Sequence, residues 1–152
     1  MPIDRAVIGS ELEPTCLTVE AGRLRFFAKA IGETNPIFFD DRAASAAGHR
    51  GLPVPPTFLF AIELERPDPF DWITRLGVDV RAILHGEQEF VYHSVAYAGD
   101  ILTARPKIVD VFTKKNGALE FVVKETTVGR ADGCRIADLK TVLVVRNVGV
   151  GE

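Results

Sequence analysis

The feature that most constrains this fold is a proline-rich segment that runs directly into an apolar one, at residues 51–66. Pro53, Pro55 and Pro56 keep the first half extended, because proline has no N–H for a helix and pushes the residue before it out of the α region. A helix can therefore begin only at about Thr57. From there on, apolar side chains occupy nearly the whole circumference, which is typical of a helix buried on all sides. We expect the rest of the chain to wrap around it.

The second half of the chain supplies this wrapping. Residues 81–148 read as strands separated by turn sequences at 98–100 (Ala-Gly-Asp), 116–117 (Asn-Gly) and 132–133 (Asp-Gly). Asn-Gly and Asp-Gly are strong hairpin signals, because both positions tolerate positive φ. A helix followed by a meander of about four strands, without strand-helix-strand alternation, predicts an α+β fold with a curved antiparallel sheet wrapped around the central helix.

Ahead of the central helix the sequence predicts a short strand at 15–19 and a small-residue helix at 40–47. Between them lies an amphipathic helix that ends at Gly32. Its apolar face consists of Leu24, Phe27, Ala28 and Ile31. A chain of 152 residues is of the size of one domain, so we assign residues 1–152 to one domain.

Charge and cysteine usage exclude several classes of protein. A net charge of −3 lacks the basic surface of a nucleic-acid binder. Cys16 and Cys134 lie far apart without a metal-binding spacing, so we expect neither a disulfide framework nor a metal, and no cofactor. No apolar run has the length of a signal peptide or a membrane span, so we expect a cytoplasmic protein without a membrane partner.

Three segments carry a resemblance to a known family. Residues 32–38 read Gly-Glu-Thr-Asn-Pro-Ile-Phe, which resembles the Gly-Asp-x-Asn-Pro-x-His signature of the MaoC-like (R)-specific enoyl-CoA hydratases and 3-hydroxyacyl-thioester dehydratases. Residues 51–58 and 84–102 resemble the N-terminal, FAS1-like half of the two-domain members. The resemblance implies a single hot-dog domain that binds an acyl-CoA or acyl-carrier-protein (acyl-ACP) thioester.

The sequence departs from the family at the positions that perform the chemistry. Glu33 and Phe38 stand where the family has its acid-base aspartate and histidine, and phenylalanine cannot transfer a proton. Pro56 stands where a glycine N–H is thought to polarise the thioester carbonyl in catalytic members. We therefore expect a weakened active site.

The same resemblance gives the candidate substrate-binding residues. Asn35 belongs to the motif, and Thr57 and Phe58 carry the first N–H groups after the prolines. Gly86 lies in the first long strand, where a ligand could approach the backbone closely.

Two acid-base pairs are candidates for catalysis. Glu33 could act with His85, although a histidine at a strand end is also compatible with a structural role. His49 precedes Glu63 by fourteen residues, which resembles the His and Glu pair of the FabZ-type hot-dog dehydratases, where the two meet across a dimer. The structural alternatives are an exposed His49 in a turn and a Glu63 that faces solvent. His93 is interpreted as structural.

Three classes of function remain. The first is a hot-dog subunit of an acyl-thioester dehydratase or enoyl hydratase, with a MaoC-like partner subunit that carries the intact Asp and His. The second is a hydratase active by itself through Glu33 and His85 or through His49 and Glu63. The third is a non-catalytic acyl-thioester binding module or a hot-dog thioesterase. Edge strands of such a sheet favour a homodimer or a heterodimer.

Overall fold

The computed structural model describes residues 2–147 and is built around a five-stranded antiparallel sheet. Its strand order is β1-β3-β4-β5-β2. The strands are β1 (Thr15–Thr18), β2 (Ile83–Tyr92), β3 (Ile101–Lys114), β4 (Leu119–Arg130) and β5 (Arg135–Arg146). The predicted α+β class and antiparallel meander are confirmed, whereas the predicted sheet end at Val148 lies outside the described residues.

The turn sequences lie where the sequence predicts them. Between β3 and β4, Lys115 and Asn116 adopt φ values of 51° and 52°, and Gly117 follows at 89°. Gly133 turns the chain between β4 and β5 with a φ of 88°. Because such positive φ values favour glycine and asparagine, these residues fix the register of both hairpins.

The predicted helices ahead of the sheet are also present. Helix α1 (Ala21–Ala30) buries Leu24 and Ala28, and α2 (Asp41–Ala46) follows it. The Asp40 carboxylate caps α2 by accepting hydrogen bonds from the N–H groups of Arg42 and Ala43 at 2.7 and 3.0 Å. A short α3 (Asp71–Arg75) carries the buried Trp72. Short 3₁₀ turns lie at Arg5–Val7, Pro36–Phe38, Val80–Ala82 and Lys115–Gly117.

The central helix spans Pro56–Glu65, as predicted, but it is a 3₁₀-helix and it is not buried on all sides. Leu59 and Ile62 lie three residues apart, so at three residues per turn they share the buried face. Leu64 keeps 44% of its surface exposed. The expectation of an all-round buried helix is therefore wrong, because one flank of the helix faces a cavity instead of the sheet.

Two apolar clusters fill the space between the helices and the sheet. The larger one joins the central helix to α1 and to the inner face of the sheet, and it includes Leu24, Leu52, Ile62, Leu102 and Val128. The smaller one joins the N-terminal segment and α3 to the other end of the strands, and it includes Ile3, Trp72, Ile108, Val122 and Val145. The cavity described next is lined by residues from both clusters.

Candidate functional site

A cavity of about 240 Å³ opens between the C-terminal half of the central helix, α3 and strands β2, β4 and β5. Most of its lining is apolar. Leu64, Phe70 and Val80 are large exposed side chains, so they mark its opening. The polar and charged side chains in the lining are Glu63, His85, Lys124 and Thr141.

An almost buried ion pair lies in this cavity. The Lys124 ammonium donates to Oε2 of Glu63, and the Thr126 hydroxyl donates to Oε1 of Glu63 at 2.6 Å. The side chains of Lys124 and Glu63 are only 7% and 15% exposed. Lys124 Nζ also lies 5.0 Å from the centre of the Trp72 ring, within cation-π range. Both oxygens of the Glu63 carboxylate are therefore engaged.

Lys124 reaches the cavity because it lies on the inner face of the central part of β4. Side chains alternate along a strand, so Val122, Lys124, Thr126 and Val128 share that face, and all four are buried. Lys124 is not among the candidate residues predicted from the sequence. The sequence gives only a weak signal that Lys124 faces inward, because the opposite face of the strand also mixes apolar and charged residues: Phe121, Val123, Glu125 and Thr127.

His85 enters the same cavity through a β-bulge. The register of β2 against β5 shifts between His85, which pairs with Leu143, and Glu87, which pairs with Val142, so Gly86 is the extra residue of the bulge. The His85 ring lies 5.4 Å from the Phe60 ring, centre to centre. At Gly86, an added Cβ would lie 2.9 Å from Cγ2 of Val144. The close approach predicted at this glycine is thus made by β5.

The motif loop satisfies its own polar groups. Glu33 Oε1 accepts hydrogen bonds from the N–H groups of Thr34 and Asn35, both at 2.8 Å. Asn35 Oδ1 accepts one from the Ile37 N–H at 3.2 Å. Glu33 does not line the cavity that contains His85, so the structure does not bring this predicted pair together. Phe38 is half-buried.

His49 belongs to a cluster that fixes the segment before the central helix. Its Nδ1 lies 3.0 Å from the Tyr97 hydroxyl. The neighbouring Arg50 donates to both oxygens of Asp100, at 2.7 and 2.8 Å, and its guanidinium lies 4.4 Å from the Tyr97 ring centre. Within this chain His49 thus contacts Tyr97, whereas Glu63 contacts Lys124 and Thr126. The two sequence-predicted residues that share one cavity are Glu63 and His85.

The N-terminal end of the central helix offers few hydrogen-bond donors. Phe58 is 2% exposed and packs edge-on against Phe27 at 5.4 Å between ring centres. The Phe58 N–H donates to the Pro55 carbonyl at 2.9 Å. Pro56 and Thr57 are exposed, whereas Phe58 is buried, so Thr57 is the predicted binding residue that solvent reaches at this end.

A second cavity of about 220 Å³ borders this end of the helix at Pro56 and Leu59, and His93 lines it. Nε2 of His93 lies 2.9 Å from Oδ2 of Asp138, which also accepts a hydrogen bond from Arg135. Burial raises the pKa of the Asp138 carboxyl, but these hydrogen bonds outweigh it and hold the pKa below its ordinary value. This contact with Asp138 agrees with the structural role predicted for His93.

No helix within residues 2–147 has the length and hydrophobicity needed to cross a membrane. In the same part of the chain, no three side chains of His, Cys, Asp or Glu gather in a way that could hold a metal ion.

Residues 6–139 match the family model described as FAS1-like, dehydratase domain region. The chain belongs to this family of hot-dog dehydratases. It is also 33% identical over 148 residues to a UPF0336 protein of Saccharopolyspora erythraea, with 96% of this chain and 93% of the relative covered.

Two of the solved structures that resemble this chain are chains of complexes. One is a chain of the C-terminally truncated HadBC (3R-hydroxyacyl-ACP dehydratase) complex of Mycobacterium tuberculosis, with a TM-score of 0.76, 28% identity and coverage of 94% of this chain and 99% of that chain. The other is a chain of the ChsH1-ChsH2 complex of the same organism, with a TM-score of 0.72, 25% identity and coverage of 90% and 84%. The predicted family and hot-dog fold are confirmed.

Proposed function

We propose that this chain is a hot-dog subunit of an acyl-thioester dehydratase or enoyl hydratase, and that it supplies an acyl-binding cavity while a MaoC-like partner subunit performs the proton transfers. One observation carries this proposal. The carboxylate in the cavity beside the central helix, Glu63, is held by Lys124 and Thr126, so each of its oxygens already has a partner within the chain that competes with water or substrate.

The rest of the chain supports a division of labour. Glu33 caps its own loop, and Phe38 replaces the motif histidine with a group that cannot transfer a proton. Pro55 and Pro56 open the central helix without N–H groups, which weakens any stabilisation of a thioester oxyanion there. A partner with an intact Asp and His would supply the missing groups.

The assembly also has support. Both solved structures named above are complexes. In this chain β1 and β2 are the edge strands of the sheet, and Leu84, Val91 and Tyr92 of β2 are exposed. Pairing an edge strand with a second hot-dog sheet would satisfy its open backbone groups and cover these side chains. A heterodimer with the catalytic subunit is the arrangement we propose.

The test is hydration of crotonyl-CoA and of a longer enoyl-CoA, followed by loss of the enoyl-thioester absorbance. The chain alone should turn over at least about 10²-fold more slowly than the chain combined with a MaoC-like protein that has an intact Asp-x-Asn-Pro-x-His motif. The control is the same partner with its motif histidine changed to alanine, which should abolish the gain. Rapid turnover by the chain alone would contradict the proposal, and binding without turnover in either arrangement would indicate a binding module.

A second candidate function is a hydratase active by itself through Glu63 and His85, because these two residues line the same cavity. In that case the chain alone would hydrate enoyl-CoA, and both Glu63→Gln and His85→Ala would abolish the reaction. The matched control is Glu65→Gln, two residues further along the helix, where the carboxylate pairs with Arg23 near the surface.

A further inference from the structure

We infer that the cavity beside the central helix selects acyl groups that carry a neutral oxygen, a hydroxyl or a ketone, at the distal end of the chain. This inference rests on the proposed function, since it assumes that an acyl thioester occupies the cavity. It assigns to Lys124, Glu63 and His85 a role in substrate specificity that is separate from proton transfer.

A buried ion pair of this kind adds little to the stability of the fold. Lys124 and Glu63 lie almost fully out of water, between apolar walls that include Trp72 and Leu143. Removing two charges from water costs about as much as their attraction returns, and well-packed apolar residues commonly serve a core as well or better. A purely hydrocarbon acyl end would fit best against apolar residues at this position. The polar groups therefore point to a polar feature of the ligand.

Lys124 and His85 have hydrogen-bond donors left for a ligand. An ammonium group has three N–H donors, and the Lys124 hydrogen bond to Glu63 uses one of them. The His85 ring packs against Phe60, and no side-chain hydrogen bond of His85 is seen within residues 2–147. Lys124 and His85 thus present donors to the same cavity, and an oxygen acceptor is the group that matches them.

The acceptor on the ligand should be uncharged. Because Glu63 already neutralises Lys124, a carboxylate at the end of the acyl chain would place a second negative charge beside Glu63 in a nearly dry site. A hydroxyl or a ketone oxygen can accept from Lys124 without this cost. The cavity volume of about 240 Å³ is below the roughly 300–1,000 Å³ of pockets that enclose a whole drug-sized ligand, so it fits one end of a thioester.

The chain offers a built-in reporter for the test. Trp72 is the single tryptophan of the sequence, and it lines this cavity. Its fluorescence should change when the cavity is occupied. We would titrate the purified chain with three CoA thioesters of matched length, unsubstituted, ω-hydroxy and ω-carboxy, in series from octanoyl to hexadecanoyl.

The expected result is that, at the best chain length, the ω-hydroxy thioester binds about tenfold more tightly than the unsubstituted one, and the ω-carboxy thioester binds most weakly. Equal or tighter binding of the unsubstituted thioester would overturn the inference and leave the proposed function standing. Tightest binding of the ω-carboxy thioester would overturn the choice of a neutral oxygen. Binding of none of them would count against the inference and the proposed function together.

Two variants locate the preference. The double substitution Glu63→Met with Lys124→Met keeps the site neutral and should reverse the preference towards the unsubstituted thioester. His85→Phe, at an exposed position that should tolerate the change, should reduce the preference to about threefold and keeps the test decisive if the double variant does not fold. Lys107→Met, on the exposed face of β3, is the matched control and should leave the ratio unchanged. Retention of the full preference in both cavity variants would contradict the inference.

Discussion

The two ends of the central helix differ in what their polar groups contact. At the N-terminal end, the Phe58 N–H reaches back to the Pro55 carbonyl, and the motif loop is held by equally local bonds, since Glu33 accepts from the N–H groups of residues 34 and 35. At the C-terminal end, Glu63 reaches across to Lys124 and Thr126 on β4, sixty-one and sixty-three residues away in sequence. One end is arranged by local bonds and the other by tertiary ones.

The local hydrogen bonds hold a loop in place, whereas the tertiary ones place charged side chains in a cavity where they would meet a ligand. Local caps lie near solvent, so each of them contributes modestly to stability. A buried pair between distant segments is different, because removing one partner leaves an uncompensated charge away from water. The resemblance to the hydratase motif draws attention to the locally bonded loop at residues 32–38, whereas the cavity lined by Glu63, His85 and Lys124 lies at the C-terminal end of the central helix.

The largest effect should follow from breaking the buried pair. Lys124→Met leaves the Glu63 carboxylate without its cation, and we expect it to lower the free energy of unfolding by about 3–5 kcal/mol. The double variant with Glu63→Met should be about as stable as the natural chain, or more stable by up to about 4 kcal/mol. Urea denaturation of the three proteins measures both values.

The control is the surface ion pair between Arg23 of α1 and Glu65 of the central helix, whose side chains are 37% and 32% exposed. Arg23→Met should cost no more than about 1 kcal/mol, because solvent screens this pair. If Lys124→Met were no more costly than Arg23→Met, the contrast between a buried and an exposed ion pair at this end of the helix would be lost.

A smaller effect is expected at the motif loop. Glu33→Ala removes the acceptor for two backbone N–H groups and should lower the free energy of unfolding by about 1 kcal/mol. Glu33→Gln keeps an acceptor oxygen, so its stability and its partner-dependent hydration activity should both remain near those of the natural chain. Loss of activity in a stably folded Glu33→Gln would instead assign the Glu33 carboxylate a role in proton transfer.

The sequence predicts the parts of this fold that depend on neighbours in the chain. The hairpin at residues 115–117 follows from Asn116-Gly117, and the start of the central helix follows from Pro55 and Pro56, because turn and proline geometry are local properties. The helix type and its open flank are not predicted, since they depend on how the sheet packs against it.

The candidate site is predicted only in part, for the same reason. Glu63 and His85 are visible as titratable residues in apolar surroundings, but their shared cavity depends on tertiary packing and on the bulge at Gly86. Lys124 can be identified as a residue of the candidate site only when the inward face of β4 is known. Neither alternating set of that strand is purely apolar, so the face cannot be read from the pattern.

The smallest effect concerns Asp138, which holds His93 beside the N-terminal end of the helix with both side chains about 30% exposed. Burial raises the pKa of Asp138, but the hydrogen bonds from His93 and Arg135 bring it below the ordinary value of 3.8. A carboxyl whose pKa is lower in the folded chain stabilises the fold above the pKa of the unfolded chain, and this contribution is lost as the pH falls through the folded-state pKa. The stability advantage of the natural chain over Asp138→Asn should therefore be complete at about pH 5 and above, and should shrink below about pH 4. Urea denaturation across this pH range measures it, and a difference that stays constant down to the lowest pH would show that the Asp138 charge contributes nothing to holding His93.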